Sequence, residues 1–568
     1  MNANIDNVDT QNTSNDAEND TLAVDEQRLL TAKQTGLFAT LKTYLSMSGP
    51  GWLQSGITLG GGSLASALFL GVVGGTHFLW VQIVAMLMGV VMLSAIAYVT
   101  LSSGQSPYKL IRDQINPVLA WGWLFASLLA NLIWVMPQYA LSYSAITENI
   151  GLGFENELLN KIVISLLIFA FCTAVVMTYG QGGKGQRLFD FLIKAIVSAI
   201  VITFMAVSIK IVFVDKSISL GEIFAGYVPN INHFSEPVGA LGEQIQHIPD
   251  AVKAYWHAQV IDIQQTVLIA AAAFAVGVNM TFMMPYSIIA RGWNKNFRGL
   301  AVFDLATGML IPFVLATSCV VIAAAATFHG NPQNALIENE GIYEVNPNAS
   351  KKVQTELTKI IDKRVAELNE PLDNEEMLMA AYLIKRDTGS FTKALEGVVG
   401  PTLANWIFGL GILAMGISTI TMLMLISGFC VCEFFGFPHG GKQHKMGTLL
   451  GATGLLWFVV WTGGSAPYLA AITGTIGFIF LPTAYISFCL LFNSKRAMGD
   501  NRVKGKKRVI WNVLMIGSTV LISAAAFGPY GAWNKSMGGL PIGQYFVIGF
   551  VVAALLGQLY MIKKRSKD

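Results

Sequence analysis

Charge is what this chain has least of. Only 12% of its 568 residues are Asp, Glu, Lys or Arg, about half the share of a soluble globular protein, and that excludes a fold covered by a charged surface. Cysteine is scarce too. The five residues Cys172, Cys319, Cys430, Cys432 and Cys489 all fall inside apolar blocks, where no disulfide framework forms. Cys430-Val-Cys432 has the wrong spacing for a zinc knuckle and reads as packing. There is no glycine-rich phosphate loop, which argues against ATP-driven work. The seven histidines, His77, His233, His247, His257, His329, His439 and His444, lie at block ends or between blocks, so none serves a metal or a proton relay at a bilayer midplane. The net charge of +3, spread over loops, marks no nucleic-acid partner. No constellation of a soluble enzyme is present.

What is present is apolar length. Residues 49–72, 77–101, 117–147, 161–179, 187–214, 264–290, 299–328, 397–435, 446–463, 467–492, 508–528 and 542–562 are mostly 18 residues or longer, beyond a buried core helix, and predict about twelve membrane spans. The expected fold class is an all-α polytopic membrane protein. Nothing resembles a cleaved signal peptide. Lys109, Arg112, Lys184, Arg187, Arg291, Lys295, Arg298, Lys442, Lys445, the run Lys495 to Arg508 and Lys563-Lys564-Arg565 fall on one side. By the positive-inside rule both termini are cytoplasmic, in a plasma membrane such as the prokaryotic inner membrane.

The expected organisation is a disordered acidic tail at 1–40, spans 1–5 over 41–214, an outer loop at 215–263, spans 6–10 over 264–492 and spans 11–12 with a basic tail over 493–568. Inside the second set, residues 329–396 place Lys and Glu at helical spacing around Leu357, Ile360, Ile361, Val365 and Leu368, the pattern of an amphipathic helical cap.

Two spans are interrupted. In span 1, Gly60-Gly61-Gly62-Ser63 puts three glycines in a row, each costing about 1 kcal/mol against Ala in a helix interior, so the chain is expected to unwind there. Unwound backbone at bilayer depth belongs beside a cavity, and the competing reading is a glycine patch for close helix packing. Span 6 carries Gly277, Asn279, Thr281, Met284-Pro285, Tyr286 and Ser287; the proline disfavours helix at Met284. Broken helices at corresponding places of two five-span halves point to an inverted-repeat transporter with a midplane site.

On Gly49-Pro50-Gly51-Trp52-Leu53, Met284-Pro285, Ala324-Ala325-Ala326-Thr327-Phe328-His329, Gly416-Ile-Ser418-Thr419-Ile-Thr421, Gly428 and Glu433-Phe434-Phe435, the chain resembles the NRAMP divalent-metal transporters of the LeuT-type superfamily. The resemblance implies a LeuT-type fold with two inverted five-helix repeats, about two extra helices, and helices 1 and 6 broken across the substrate site. Its metal chemistry does not carry over. Gly60-Gly61-Gly62-Ser63 stands where the family has Asp-Pro-Gly-Asn, and Met284-Pro285-Tyr286-Ser287 where it has Met-Pro-His-Asn. The acidic pair of span 3 falls on Trp134 and Pro137, and the glutamine of span 10 near Gly474.

A divalent ion needs carboxylates or several hard oxygens. Gly60, Gly62, Ser63 and Gly474 supply neither charge nor length, so the site is expected to be larger and neutral. Span 3 adds Asn131, Trp134 and Gln138 near one helical face; a flat ring beside amides suits a sugar, while helix packing is the competing reading. Asn279, Thr281, Tyr286 and Ser287 would add polar groups from span 6, unless they cap its break. The coupling candidates are Asp304 for a proton, and Ser418 and Thr419, which resemble sodium-binding hydroxyls of other LeuT-type transporters. No cofactor is expected beyond a coupling ion, H⁺ or Na⁺. The expected function is import of a neutral polar solute, a monosaccharide such as glucose being the main reading, by proton symport or uncoupled. A divalent cation (Mn, Fe or Mg) held at a carboxylate-free site is the alternative, and a non-transporting sensor on a transporter scaffold the third reading. The lipid bilayer is the other partner, and the oligomeric state is left open.

Overall fold

Apolar runs of this length fold as helices because lipid offers the backbone no partner other than its own carbonyl four residues back. The structure, a computed structural model, describes residues 22–179, 183–386, 400–461, 466–528 and 540–565, with Thr392, Glu396 and 532–534 in addition. Among the described residues, eight helices are long and apolar enough to cross a membrane: Leu79–Ser103, Pro117–Asn149, Glu157–Met177, Gly185–Val214, Lys295–Phe328, Thr402–Phe435, Gly505–Phe527 and Ile542–Lys564. These are spans 2–5, 7, 8, 11 and 12. Span 1 makes a ninth as a bent pair, Pro50–Thr58 and Gly61–Gly74, at 58°.

The expected spans 6, 9 and 10 are less regular. Span 6 is two helices, Asp250–Ala275 and Val278–Ala290. Span 9 is three short pieces, Lys442–Thr448, a tight 3₁₀ run Leu449–Leu456 and Trp457–Val460. Span 10 is the helix Ala466–Asn493, and most side chains of its first half lie outside the described residues.

Both breaks differ in detail from expectation. In span 1 only Leu59 and Gly60 leave the helix; Gly61, Gly62 and Ser63 form the first turn of the second half, where backbone N–H groups need no intrahelical partner. In span 6 the break falls at Val276 (φ −139°, ψ 116°) and Gly277, not at the proline. Pro285 lies within Val278–Ala290.

The acidic tail is shorter than expected. Residues 22–35 are helical and docked: Leu29 is buried against Phe297 and Leu300. The Glu26 carboxylate accepts from the side-chain amides of Asn294 and Asn296, and Lys33 donates to the Asn296 carbonyl at 2.8 Å. Residues 1–21 lie outside the described set.

The 329–396 insert begins with a hairpin that the helical pattern hides. Leu336–Asn339 pairs antiparallel with Ile342–Val345, turning through Glu340 and Gly341, both at positive φ, the geometry that closes two-residue hairpins. The helix Lys351–Leu368 follows, capped by Ser350, then Asn374–Tyr382, capped by Asp373 and Glu376. Leu357 is buried as its spacing predicts, but Val365 and Leu368 are exposed, because the buried position on that turn is taken by Arg364. Its guanidinium meets Glu376 at 2.7 and 3.1 Å, and Trp256 donates to the same carboxylate at 2.8 Å.

That pair welds the insert to the outer half of span 6. Removing one partner of a buried, hydrogen-bonded ion pair typically costs about 3–5 kcal/mol. Glu376→Gln is therefore expected to open Lys351–Leu368 locally, speeding amide hydrogen exchange in that helix about a hundredfold at the lower end of that range, with the apolar spans unchanged; unchanged exchange would mean the pair adds little.

Candidate substrate site

The two breaks meet. The Thr58 hydroxyl, at the end of the first half of span 1, donates to the Ala275 carbonyl, the last of the outer half of span 6. One turn earlier, Gln54 Nε2 donates to the Met280 carbonyl at 3.3 Å. The first of these satisfies a carbonyl at a helix end, which an apolar surrounding would otherwise leave orphaned; the second ties span 1 to the first turn of the next helix.

Span 3 holds the other two ends. Gln138 Oε1 accepts from the Gly61 N–H at 2.9 Å, capping the second half of span 1. Asn131 Oδ1 accepts from Asn279 Nδ2 at 3.1 Å, in the first turn of the inner half of span 6. Two amides seven residues apart on one helix therefore register both half-helix N-termini. The Asn131 Nδ2 and Gln54 Oε1 atoms are buried with no hydrogen-bond partner among the described residues, one donor and one acceptor, both neutral.

Span 8 closes the site from the other side. Thr419 Oγ1 donates to the Gly56 carbonyl at 3.4 Å, and a Cβ added at Gly60 would lie 2.6 Å from that hydroxyl oxygen. Gly60 has φ −113°, which any residue adopts. It is glycine for closeness to Thr419, and a side chain there displaces the Thr419 hydroxyl.

The predicted site residues thus divide. Gly60, Ser63, Asn131, Gln138 and Asn279 come together at the breaks, and Ser63 donates to the Thr58 carbonyl. Gly62 is in the same turn. The Trp134 ring packs 5.9 Å from Trp461 of span 9. Thr281 accepts from Trp123 Nε1 at 2.9 Å and donates to the Val278 carbonyl. Ser287 donates to the Met284 carbonyl, so both hydroxyls serve the scaffold. Met284 is fully buried. Tyr286 belongs to the inner end: its hydroxyl meets Ser106 Oγ at 3.2 Å and accepts from the Tyr108 N–H at 3.3 Å. Gly474 lies in the helix Ala466–Asn493, in the part whose side chains are outside the described residues.

The coupling candidates also move. Asp304 is fully buried, and its Oδ2 accepts from the N–H groups of Gly49 and Gly51 at 3.0 and 2.7 Å. It caps the positive N-terminal end of span 1, while its other oxygen, Oδ1, is buried with no hydrogen-bond partner among the described residues. Asp190 pairs bidentately with Arg291 at 2.9 and 2.6 Å, while Lys194 donates to the Ser48 carbonyl. Ser418 donates to its own helix at Met415; only Thr419 reaches a span 1 carbonyl. Sequence reasoning missed Gln54 and Thr58, though a glutamine inside an apolar helix is itself a signal of buried polar work.

Comparison with known proteins follows from this geometry. The family described as natural resistance-associated macrophage protein-like matches residues 51–345 and 377–527. "Metal transporter Nramp6" of Oryza sativa subsp. japonica is 27% identical over 210 residues, 36% of each chain. "Metal transporter Nramp3.2" of Populus trichocarpa is 24% identical over 211 residues, 36% of this chain and 38% of that one. The matched stretch thus spans little over a third of either relative's length. The solved manganese transporter of Eremococcus coleocola superposes with a TM-score of 0.55 at 14% identity, covering 92% of this chain and 95% of that one. The LeuT-type fold is shared.

The contact at Gly60 makes its own test. Gly60→Ala is expected to cut uptake at least tenfold by pushing Thr419 off the Gly56 carbonyl, and adding Thr419→Ala should restore most of it. Failure of the double variant to recover would mean that closeness to span 8 is not what the glycine supplies.

Proposed function

This chain belongs to the natural resistance-associated macrophage protein-like family; on that footing we propose that it is a membrane transporter and that it moves a neutral polar organic solute, a monosaccharide such as glucose being the simplest example. The observation that carries this reading is the neutrality of the breaks. No hydrogen bond made there among the described residues involves a carboxylate, and position 60 has no room for one beside Thr419. Gln54 Oε1 and Asn131 Nδ2, an acceptor and a donor left without partners, are what a hydroxyl-bearing solute can pair with. A hard cation could use the Gln54 oxygen but not the Asn131 N–H, and it would find no carboxylate among these partners. With Asp304 engaged at the end of span 1, we take the solute's own gradient as the drive, the break rocking between the two faces. The Lys and Arg distribution supports cytoplasmic termini.

A divalent cation is the second reading, and kinship favours it. The relatives are named metal transporters, and Met284 stands where the family resemblance places a metal-binding methionine. Under this reading the backbone carbonyls of the breaks, the Met284 thioether and retained water hold the ion. The sugar class rests on the site alone.

Purified protein in proteoliposomes separates the two. Saturable uptake of radiolabelled glucose, with Mn²⁺ and Mg²⁺ reporters silent and no dependence on a proton gradient, is the expected result. Met284→Ala should leave it within about twofold. Metal flux without sugar uptake, abolished by Met284→Ala, would overturn the neutral-solute reading in favour of the second.

A further inference from the structure

At the inner end of span 8, three ligand-bearing side chains that the sequence scatters over the span, a turn and the next helix are folded together. The chain leaves the span at Gly436 (φ 73°) and turns back at once, closed by the Phe437 N–H donating to the Cys432 carbonyl at 2.8 Å. Cys432 on the last turn, His439 in the connection and His444 on the helix Lys442–Thr448 then offer one ligand atom each, all within 4.8 Å of one another. The spacing is Cys-x₆-His-x₄-His.

Aromatic packing does not account for the trio. His439 and His444 do lie 5.6 and 4.7 Å from the Phe429 ring. Yet both ring nitrogens of His444, a residue only 2% exposed, and Nδ1 of His439 are buried without a hydrogen-bond partner. Buried imidazole nitrogens are normally paired. A Cβ at Gly428 would stand 2.9 Å from His444 Nε2, so the ring sits directly on the backbone of span 8. The remaining nitrogen of His439, Nε2, lies 3.3 Å from Glu433 Oε1, and that carboxylate is itself held by Ser106 Oγ at 2.9 Å. A histidine whose far nitrogen is oriented by a carboxylate is the usual outer partner of a bound metal. A cleft of about 370 Å³, lined by Cys432, Glu433 and His439 with Ser106 and Lys109 opposite, gives an ion a way in.

The geometry points to a metal site of one cysteine and two histidines at this elbow, with the fourth position open to the cleft. Sulfur and nitrogen together select Zn²⁺, or a similar borderline ion such as Co²⁺, over Mg²⁺ or Ca²⁺. Zn–S and Zn–N bonds of about 2.3 and 2.0 Å set tetrahedral ligand atoms roughly 3.3–3.6 Å apart, so the three atoms draw in by about 1 Å on binding. The ion ties the end of span 8 to the start of span 9, beside the Tyr286 ring of span 6, 5.0 Å from His439. It lies at the far end of the inner half of span 6 from the breaks, and its test is independent of the cargo.

The probe is Co²⁺, titrated into reduced full-length protein in detergent and followed by absorption. The expected result is a sulfur-to-cobalt charge-transfer band saturating at one equivalent, lost in Cys432→Ser, weakened at least tenfold in affinity in His439→Ala, displaced by Zn²⁺ and retained in Met284→Ala. His439 is only partly buried, so its variant is expected to fold even if Cys432→Ser elutes as aggregate. Absence of the band in the unaltered protein overturns the proposal, as does a band that survives in both variants with unchanged affinity.

Discussion

A helix that breaks inside an apolar medium frees N–H and C=O groups that only protein can satisfy, and the rest of this molecule is arranged to do so. The Ala275 carbonyl is taken by Thr58 and the Gly61 N–H by Gln138. Gln54 adds a bond from span 1 to the Met280 carbonyl of span 6, and the Asn131–Asn279 side-chain pair anchors the start of Val278–Ala290 to span 3. Five neutral side chains thereby turn a local cost into the contact that sets spans 1, 3 and 6 in register.

Closure from span 8 depends on that register. Thr419 can sit on the Gly56 carbonyl only because Gly60 has no side chain, so the close approach and the absence of a charged ligand are one fact. A site built this way has its polarity in amides, hydroxyls and the opposed ends of half-helices, whose dipoles largely offset one another. Kinship and site then pull in different directions. The family and the fold are shared with metal transporters, while the residues at the breaks are not those a bare cation needs, and fold by itself does not fix cargo.

Charge lies toward the ends of the spans. Asp304 on the first N–H groups of span 1, Asp190 on Arg291, and Arg364 with Glu376 in the 329–396 insert each hold a buried ion with at least two hydrogen bonds. Buried ions of this kind are strongly destabilising once one partner is lost, and so they hold helix ends in place while the middle of the bundle stays neutral and able to rearrange. The elbow after span 8 differs in chemistry: three imidazole nitrogens of His439 and His444 are buried there without a partner among the described residues.

Composition and block length alone determined the membrane class, the number of apolar blocks and the two interrupted spans, because apolar length and runs of glycine act locally and lipid leaves few alternatives. They also led to Gly60, Asn131, Gln138 and Asn279. Only the tertiary structure decided which polar groups face the breaks. Trp134 packs on Trp461, Thr281 bonds Trp123 and its own helix, Tyr286 reaches Ser106 and Tyr108, Asp304 caps span 1 from 253 residues away, and Gln54 and Thr58 work across two spans. The meeting of Cys432, His439 and His444 rests likewise on one left-handed glycine and a reversal of the chain. Partners remote in sequence leave no period or spacing to read, since the direction of a side chain is set by the helix packed against it.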